Sequence, residues 1–226
     1  MKRYSLTIIL SVLSFFVLFG QSNASSELQI NINSLFDQEY IEAESYFSNG
    51  KQCYTLGLYP EAILNYKKAI EISPNFAEAY AKRGEAYLRM GQHYDAILDF
   101  DKAIEINPKN IEAYLYRGIT YIRNIQYEKA ISDFNRVIEI NPKSSVAYNF
   151  RGYAYFEGKR QYDHAIADFS KAIKIRPEFA QAYNNRGYAY YFNGDYKKAW
   201  DDVNKAKDLG HPVNSKFLMS LQDALR

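Results

Sequence analysis

Two series of charged residues recur along the chain in step with each other. The arginines are Arg83, Arg117, Arg151 and Arg186, and aspartates follow 16 or 17 residues later at Asp99, Asp133, Asp168 and Asp202. A guanidinium binds carboxylates and phosphates through two parallel hydrogen bonds, so the arginines could form a ladder for an acidic or phosphorylated partner. Alternatively, each arginine pairs with its own aspartate. We favour this pairing, because a partner-binding residue has no reason to recur together with its counter-ion.

The remaining residues that could support catalysis or metal binding are scattered. His93, His164 and His211 are not spaced from another histidine, cysteine or acidic residue as metal ligands are. Glycine-rich phosphate loops, G-x-S-x-G and H-E-x-x-H are absent from the sequence. The sequence therefore predicts no enzymatic activity, no cofactor and no metal site.

The chain has one cysteine, Cys53. It is expected to be a small buried side chain, and the alternative is an intermolecular disulfide, because an odd cysteine has no partner in its own chain. An exported chain without internal disulfides fits a bacterial periplasm better than a eukaryotic extracellular space.

The elements that position these residues are repeats of about 34 residues. A tyrosine recurs at spacings of 34, 34, 34 and 35 residues, a glycine follows four residues later, and a proline closes four of the five repeats. The tyrosines are Tyr46, Tyr80, Tyr114, Tyr148 and Tyr183, and the prolines are Pro74, Pro108, Pro142 and Pro177. Self-similarity at this period indicates a stack of identical supersecondary units.

Within a repeat the apolar spacing is helical. In the second repeat, Tyr80, Gly84 and Tyr87 share one face of a first helix. Gly91 marks a turn, and Pro108 ends a second helix. The second helix has its own apolar face, formed by Ala96, Phe100, Ala103 and Ile104. Each repeat is therefore predicted to be a helix, a tight turn and a helix.

The pattern resembles the tetratricopeptide repeat family, whose consensus of W-x2-L-G-x2-Y, A-x3-F and P spans 34 residues. The second repeat reads Tyr80-x2-Arg83-Gly84-x2-Tyr87, Ala96-x3-Phe100 and Pro108, and the third and fourth read alike. The fifth and first repeats diverge more, and the resemblance covers about residues 43–213. It implies an all-α, right-handed superhelical solenoid of about five repeats.

The ends of the array are predicted to differ from the repeats. Asn214 or Ser215 can cap a C-terminal helix with Phe217, Leu218, Leu221 and Leu225 on one face. A flexible tail is expected over residues 25–33, with the first helix beginning near Leu35. The predicted segments are a signal peptide (1–24), a tail and helix start (25–42), repeats at 43–76, 77–110, 111–144, 145–179 and 180–213, and the capping helix (214–226).

The N-terminus has the features of a secretory signal. Lys2 and Arg3 precede an apolar run over residues 6–19, and Ser22-Asn23-Ala24 offers small residues for cleavage. The run is shorter than a membrane span, so an uncleaved anchor is the less favoured alternative. Removal of residues 1–24 would leave 26 basic and 26 acidic residues. A chain with no net charge does not attract nucleic acid or anionic lipid electrostatically. The predicted location is the bacterial periplasm or the exterior.

A second stripe on the first helices changes from repeat to repeat. In the family these helices line a concave groove that holds a peptide or a partner helix. Aromatic and arginine side chains are favoured binding anchors, and asparagine can both donate and accept. The predicted groove residues are Arg89, Leu115, Ile119, Arg123, Asn149, Tyr153, Phe156, Asn184, Tyr188, Tyr191 and Phe192. Phe156 and Tyr191 could instead pack between repeats.

These features predict an exported protein–protein interaction scaffold with another protein or a peptide as its partner. The groove is pre-formed, so little ordering entropy opposes binding. Two alternatives remain: an accessory subunit of a cell-envelope complex that docks by its outer face, and a glycan or polymer binder that uses the aromatic groove.

Overall fold

The computed structural model describes residues 22–226, with side-chain environments from Gln38 onward except at Lys159. All eleven elements in this range are α-helices, which confirms the predicted all-α repeat fold. They are α1 (Ser22–Thr55), α2 (Tyr59–Ile72), α3 (Ala77–Arg89), α4 (His93–Ile106), α5 (Ile111–Arg123), α6 (Tyr127–Ile140), α7 (Ser145–Lys159), α8 (Tyr162–Ile175), α9 (Ala180–Phe192), α10 (Tyr196–Asp208) and α11 (Ser215–Ala224). Apart from its last three residues, the predicted signal peptide lies outside the described residues.

The chain divides into two compact units, which meet between Asn75 and Phe76 in the sequence. The described part of the first unit is α1 and α2, which pack on each other as the first repeat. The Phe47 and Tyr66 ring centroids are 5.7 Å apart, and both rings are buried. A Cβ added at Gly50 would lie 2.5 Å from the Tyr66 ring, so a glycine there allows the two helices to approach.

Helix α1 is longer than the sequence predicts. It begins at Ser22, so residues 25–33, expected as a flexible tail, are helical, and the expected start near Leu35 lies inside the helix. Neither proline nor glycine occurs between Ser22 and Ser48, so nothing in this stretch breaks the helical backbone. Over the described residues, no helix combines the length and the apolar character needed to cross a bilayer.

The second unit contains four helix pairs and a final helix. The pairs are α3–α4, α5–α6, α7–α8 and α9–α10, and within the unit the second helix of each pair also packs on the first helix of the next pair. At Gly118 an added Cβ would lie 2.7 Å from the buried Phe134 ring, which explains the glycine of the motif. The small residue of the first helix therefore lies directly against the aromatic ring of the second helix.

The turns inside the repeats require a left-handed backbone. Gly91 and Gly194 have φ of 74° and 88°, and the equivalent positions hold Ile125 at 59° and Arg160 at 48°. Left-handed backbone costs a residue with a Cβ about 1–2 kcal/mol, so the third and fourth turns are strained. The fourth repeat has one extra residue, and α7 takes it up by running to Lys159, 15 residues against 13 in α5.

Helix α11 covers the last repeat, as predicted. The Asn214 Oδ1 accepts hydrogen bonds from the backbone N–H groups of Lys216 and Phe217 at 2.9 and 3.2 Å, so Asn214 is the cap. Phe217 and Leu221 are buried against α10. Leu225, predicted to lie on the same face, follows the helix end and is 44% exposed.

Candidate functional site

Each recurring arginine is paired with the aspartate of its own repeat. In all four pairs Nε and Nη2 donate to the two carboxylate oxygens at 2.6–2.9 Å. The aspartates are only 3–6% exposed. Each guanidinium also lies 5.4–5.6 Å from the ring of the tyrosine three residues earlier. This geometry agrees with the pairing that we favoured from the sequence.

Three of the arginines also join neighbouring repeats. The Nη1 group donates to Asp101 from Arg117 at 2.5 Å, to Asn135 from Arg151 at 2.6 Å, and to Ser170 from Arg186 at 2.9 Å. Because all three guanidinium nitrogens have acceptors within the protein, these arginines are not open to an acidic partner.

The electrostatics of one pair show how burial and pairing compete. Burial lowers the pKa of Arg117, but the hydrogen bonds and negative charges of Asp133 and Asp101 outweigh burial, so its pKa is raised. Burial raises the pKa of Asp133, and Arg117 opposes this increase. Arg117 therefore offsets part of the effect of burial and favours the ionised form of this carboxyl.

A cleft of about 190 Å³ opens between α7 and α9. Phe169 of α8, which is fully buried, lies at its base. Its walls are formed by six residues of α7 and α9: Tyr153, Phe156, Glu157, Asn184, Asn185 and Tyr188. Four of these, Tyr153, Phe156, Asn184 and Tyr188, belong to the predicted groove set. The structure therefore brings four of the seven predicted groove residues of the fourth and fifth repeats together, and Asn149, Tyr191 and Phe192 do not line the cleft.

The cleft exists because one aromatic residue of the array is replaced by an amide. At the two preceding interfaces, Tyr116 stacks on Phe100 and Phe150 stacks on Phe134, with centroid separations of 6.3 and 5.9 Å. The residue equivalent to Tyr116 and Phe150 in the fifth repeat is Asn185. Its side chain is smaller than a ring, so space remains above the aromatic residue of α8.

The asparagines near the cleft have different roles. Asn185 Nδ2 donates to Asn149 Oδ1 at 3.1 Å, and Asn149 is 1% exposed. Asn149 was predicted to face a partner, but the fifth repeat covers it, and it joins α7 to α9 instead. Asn184 lines the cleft, and its buried Oδ1 accepts no hydrogen bond from the described residues.

Two tyrosines supply hydroxyl groups to the cleft. Burial raises the pKa of Tyr153, and the charge of Glu157 and a hydrogen bond to its carboxylate raise it further. Burial also raises the pKa of Tyr188. Both hydroxyls therefore stay protonated at neutral pH. The Tyr188 ring stacks on Phe217 of α11 with centroids 3.8 Å apart, so only one of its faces is left for the cleft.

The other aromatic groove residues pack mainly on one another. Phe156 lies 5.6 Å from Phe192 of the next repeat, which supports the alternative that it packs between repeats. Tyr191 lies 5.3 Å from Phe217 and 5.5 Å from Tyr196, so it packs within the last repeat and against the capping helix. Phe192 remains 54% exposed.

The predicted groove residues of the second and third repeats lie outside the cleft. Leu115 and Ile119 are half-buried and pack on the apolar core of the third repeat. Arg89 and Arg123 are exposed in the last turns of α3 and α5. The aliphatic part of the predicted stripe therefore contributes to packing.

Three cleft residues, Glu157, Phe169 and Asn185, are not in the predicted groove set. Phe169 was assigned to the motif core, and Asn185 lies one position outside the predicted stripe. Comparison of equivalent positions would have identified Asn185, because the third and fourth repeats have an aromatic residue there.

The remaining reactive residues are not grouped. Within residues 22–226, histidines, cysteines and acidic residues form no cluster of three or more that could hold a metal ion. Cys53 is half-buried, and its Sγ lies 3.9 Å from the Asn65 Nδ2.

Family models match much of the repeat array. A model described as "TPR repeat" matches residues 50–91 and 159–194, and models described as "Tetratricopeptide repeat" match 77–110, 100–132 and 180–209. Together they span residues 50–132 and 159–209. No curated protein matches the chain.

Several solved structures are similar to this one. A MamA protein is 30% identical, with 74% of this chain and 91% of that chain covered and a TM-score of 0.66. MamA from Desulfovibrio magneticus RS-1 is 25% identical, with 75% and 95% covered and a TM-score of 0.69. YrrB, described as a TPR protein with an unusual peptide-binding site, is 22% identical, with 78% and 91% covered and a TM-score of 0.63.

Proposed function

Because the chain belongs to the tetratricopeptide repeat family, we propose that it is an exported scaffold that binds a partner peptide or helix through the first helices of its repeats. The observation that carries this proposal is the cleft between α7 and α9. It combines aromatic rings with amide and hydroxyl groups, and these are the side chains that anchor protein ligands.

The pairing of the four recurring arginines supports ligand binding at the cleft and not at the arginines. The four arginines have carboxylate partners inside their own repeats, so an acidic partner would have to displace a bidentate ion pair. The likeness to YrrB supports the fold alone, and the cleft residues of this chain supply the argument for a ligand.

The proposed mechanism is presentation of a pre-formed surface. Phe169 is fixed in the core of the fourth repeat, and Tyr188 is held against Phe217, so the cleft walls are ordered before a partner arrives. Docking then requires little loss of side-chain freedom. The protein is proposed to have no catalytic step of its own.

The export proposal makes a measurable prediction. The basic start, the apolar run and the small residues before Ser25 favour cleavage after Ala24. Intact-mass measurement on the protein purified from its host should therefore give the mass of residues 25–226. A mass that includes residues 1–24 would indicate a scaffold anchored in the membrane by its N-terminus.

Tyr153→Ala should weaken peptide binding at least about tenfold, because a buried aromatic anchor contributes about 2 kcal/mol or more. Peptides selected from a displayed random library on the full chain serve as probes, and titration calorimetry gives the dissociation constants. Tyr153 is a better choice than Tyr188, because loss of Tyr188 would also remove the support of Phe217.

The matched control is Tyr94→Ala on α4, which removes a tyrosine that is 74% exposed and distant in the fold from the cleft. It should leave the affinity unchanged, and circular dichroism should show full helicity for both variants. Unchanged affinity in folded Tyr153→Ala would move the site to the outer face of the array, as an accessory subunit would use it.

A further inference from the structure

We propose that the cleft between α7 and α9 receives a cationic side chain, lysine or arginine, from the bound partner. This inference rests on the proposed function and names the chemistry that the cleft selects. It follows from the size of the cleft, from the charge of its walls, and from an acceptor that has no donor.

The size of the cleft suits a single side chain. At about 190 Å³ it is smaller than the roughly 300–1,000 Å³ of sites that hold small molecules or cofactors. Phe169 at the base and Phe156 in the wall provide apolar contact for a methylene stem. Lysine and arginine bury such stems while their charged ends remain near polar groups.

The charge of the cleft is negative. Glu157 is the one acidic or basic residue of its walls, and the tyrosine hydroxyls stay protonated at neutral pH. The neighbouring Arg151 and Arg186 are neutralised by Asp168 and Asp202. A carboxylate ligand would therefore meet Glu157 without a compensating cation, whereas an ammonium or guanidinium group would form an ion pair.

The hydrogen-bonding groups of the cleft favour a donor. Asn185 Nδ2 already donates to Asn149, and burial and the adjacent Glu157 charge raise the pKa of the Tyr153 hydroxyl. The Oδ1 of Asn184 is buried and has no donor among the described residues. Lysine and arginine carry several donors and no acceptor, so they complement these groups. An apolar side chain would leave the Asn184 oxygen without a donor.

The aromatic walls add a further attraction for a cation. Cations bind ring faces within about 6 Å of the centroid. This chain uses that contact elsewhere in the same unit: Arg176 lies 3.4 Å from the centroid of the Phe179 ring. The face of Tyr188 that is not covered by Phe217 is available in the cleft for the same contact.

Capped single amino acids test the inference directly. The probes are the N-acetyl N′-methylamides of lysine, arginine, norleucine and glutamate, titrated into isotope-labelled full chain and followed by nuclear magnetic resonance. The lysine and arginine derivatives should shift the side-chain amide resonances of Asn184 and bind roughly tenfold more tightly than norleucine. The glutamate derivative should not bind.

The variant Glu157→Gln removes the charge and keeps the shape of the side chain. It should bring the affinity for the lysine derivative closer to that of norleucine, while the Asn184 oxygen and the Tyr188 ring still favour a cationic donor. The control Glu178→Gln removes an exposed carboxylate before α9 that does not line the cleft, and it should have no effect. The inference is overturned if the norleucine derivative binds as tightly as the lysine derivative, or if the glutamate derivative binds more tightly than either. It is also overturned if no probe shifts a resonance at the cleft.

The outcome is separable from the test of the proposed function. If selected peptides need Tyr153 but the capped amino acids show no preference for a cation, peptide binding stands and the cationic specificity is wrong. If the lysine derivative binds at the cleft but Tyr153→Ala leaves peptide binding unchanged, the cleft holds a cation and the peptide site lies elsewhere.

Discussion

Arg117→Ala is expected to lower the free energy of unfolding by about 3 kcal/mol or more, because it leaves a buried carboxylate without its counter-ion. Asp133 is 3% exposed, and both of its oxygens accept hydrogen bonds from Arg117. The substitution also removes the contact with Asp101 of the preceding repeat. Urea unfolding followed by circular dichroism measures the loss.

The loss should depend on pH in a defined direction. Burial raises the pKa of Asp133, and Arg117 opposes this, so the variant raises the pKa further. A carboxyl whose pKa is higher in the folded state than in the unfolded state binds protons more tightly when folded. Below the pKa of the carboxyl in the unfolded state, about 3.9, the protonated carboxyl is compatible with the folded state. The folded protein loses this stability as the pH rises through the pKa of the carboxyl in the folded state. The deficit of the variant should therefore grow from acidic pH toward neutrality.

Two further variants separate the buried pair from general effects of removing an arginine. Arg136→Ala breaks an exposed pair with Glu139 and should cost about 0–1 kcal/mol. The double variant Arg117→Ala, Asp133→Asn should lose this pH dependence, because the buried carboxyl at position 133 is gone. If Arg117→Ala unfolds like the wild type but no longer binds selected peptides, the arginines are the binding residues and their assignment as structural residues is wrong.

The double variant Asn149→Leu, Asn185→Phe should close the cleft and weaken peptide binding at least about tenfold. These are the residues found at the equivalent positions of the preceding interface, where Leu115 and Phe150 stand. A ring at position 185 would stack on Phe169 and add about 0.5–1.5 kcal/mol. Because both asparagines are replaced together, neither leaves an unpaired partner. The folded state should be at least as stable as the wild type.

The single variant Asn185→Phe is the control for this experiment. It closes the cleft but leaves the buried Asn149 Oδ1 without its donor, at a cost of about 1–3 kcal/mol. Thermal unfolding should therefore rank the double variant above the single one, while calorimetry should find both deficient in binding. A folded double variant with full affinity would show that the partner does not use the cleft.

Features that recur in every repeat are predictable from the sequence, and contacts that are specific to one repeat interface are not. The helix pairs and the arginine–aspartate pairs follow from the period, because each recurs with the same neighbours. The burial of Asn149 was not predicted, because it depends on which side chain the next repeat places above it. The support of Tyr188 by Phe217 depends on how α11 docks, and helical periodicity does not specify that contact.

The start of α1 illustrates a different limit. Motif matching ends where the repeat ends, so residues 25–33 were expected to be a flexible tail, although neither proline nor glycine lies between Ser22 and Ser48. The turn at Ile125 could not be predicted from residue preference either, since a β-branched residue is disfavoured at φ of 59°. There the position in the repeat, and not the residue type, determines the backbone.

The exchange of a ring for an amide above Phe169 has a consequence for how such arrays acquire specificity. In a stacked array each repeat touches only its neighbours, so a pocket made at one interface leaves the others unchanged. Two side chains are enough to open or close it. Binding specificity can therefore change at one repeat interface at a time, while the rest of the array stays the same. Placing asparagine at positions 115 and 150 is expected to open a comparable pocket above Phe134.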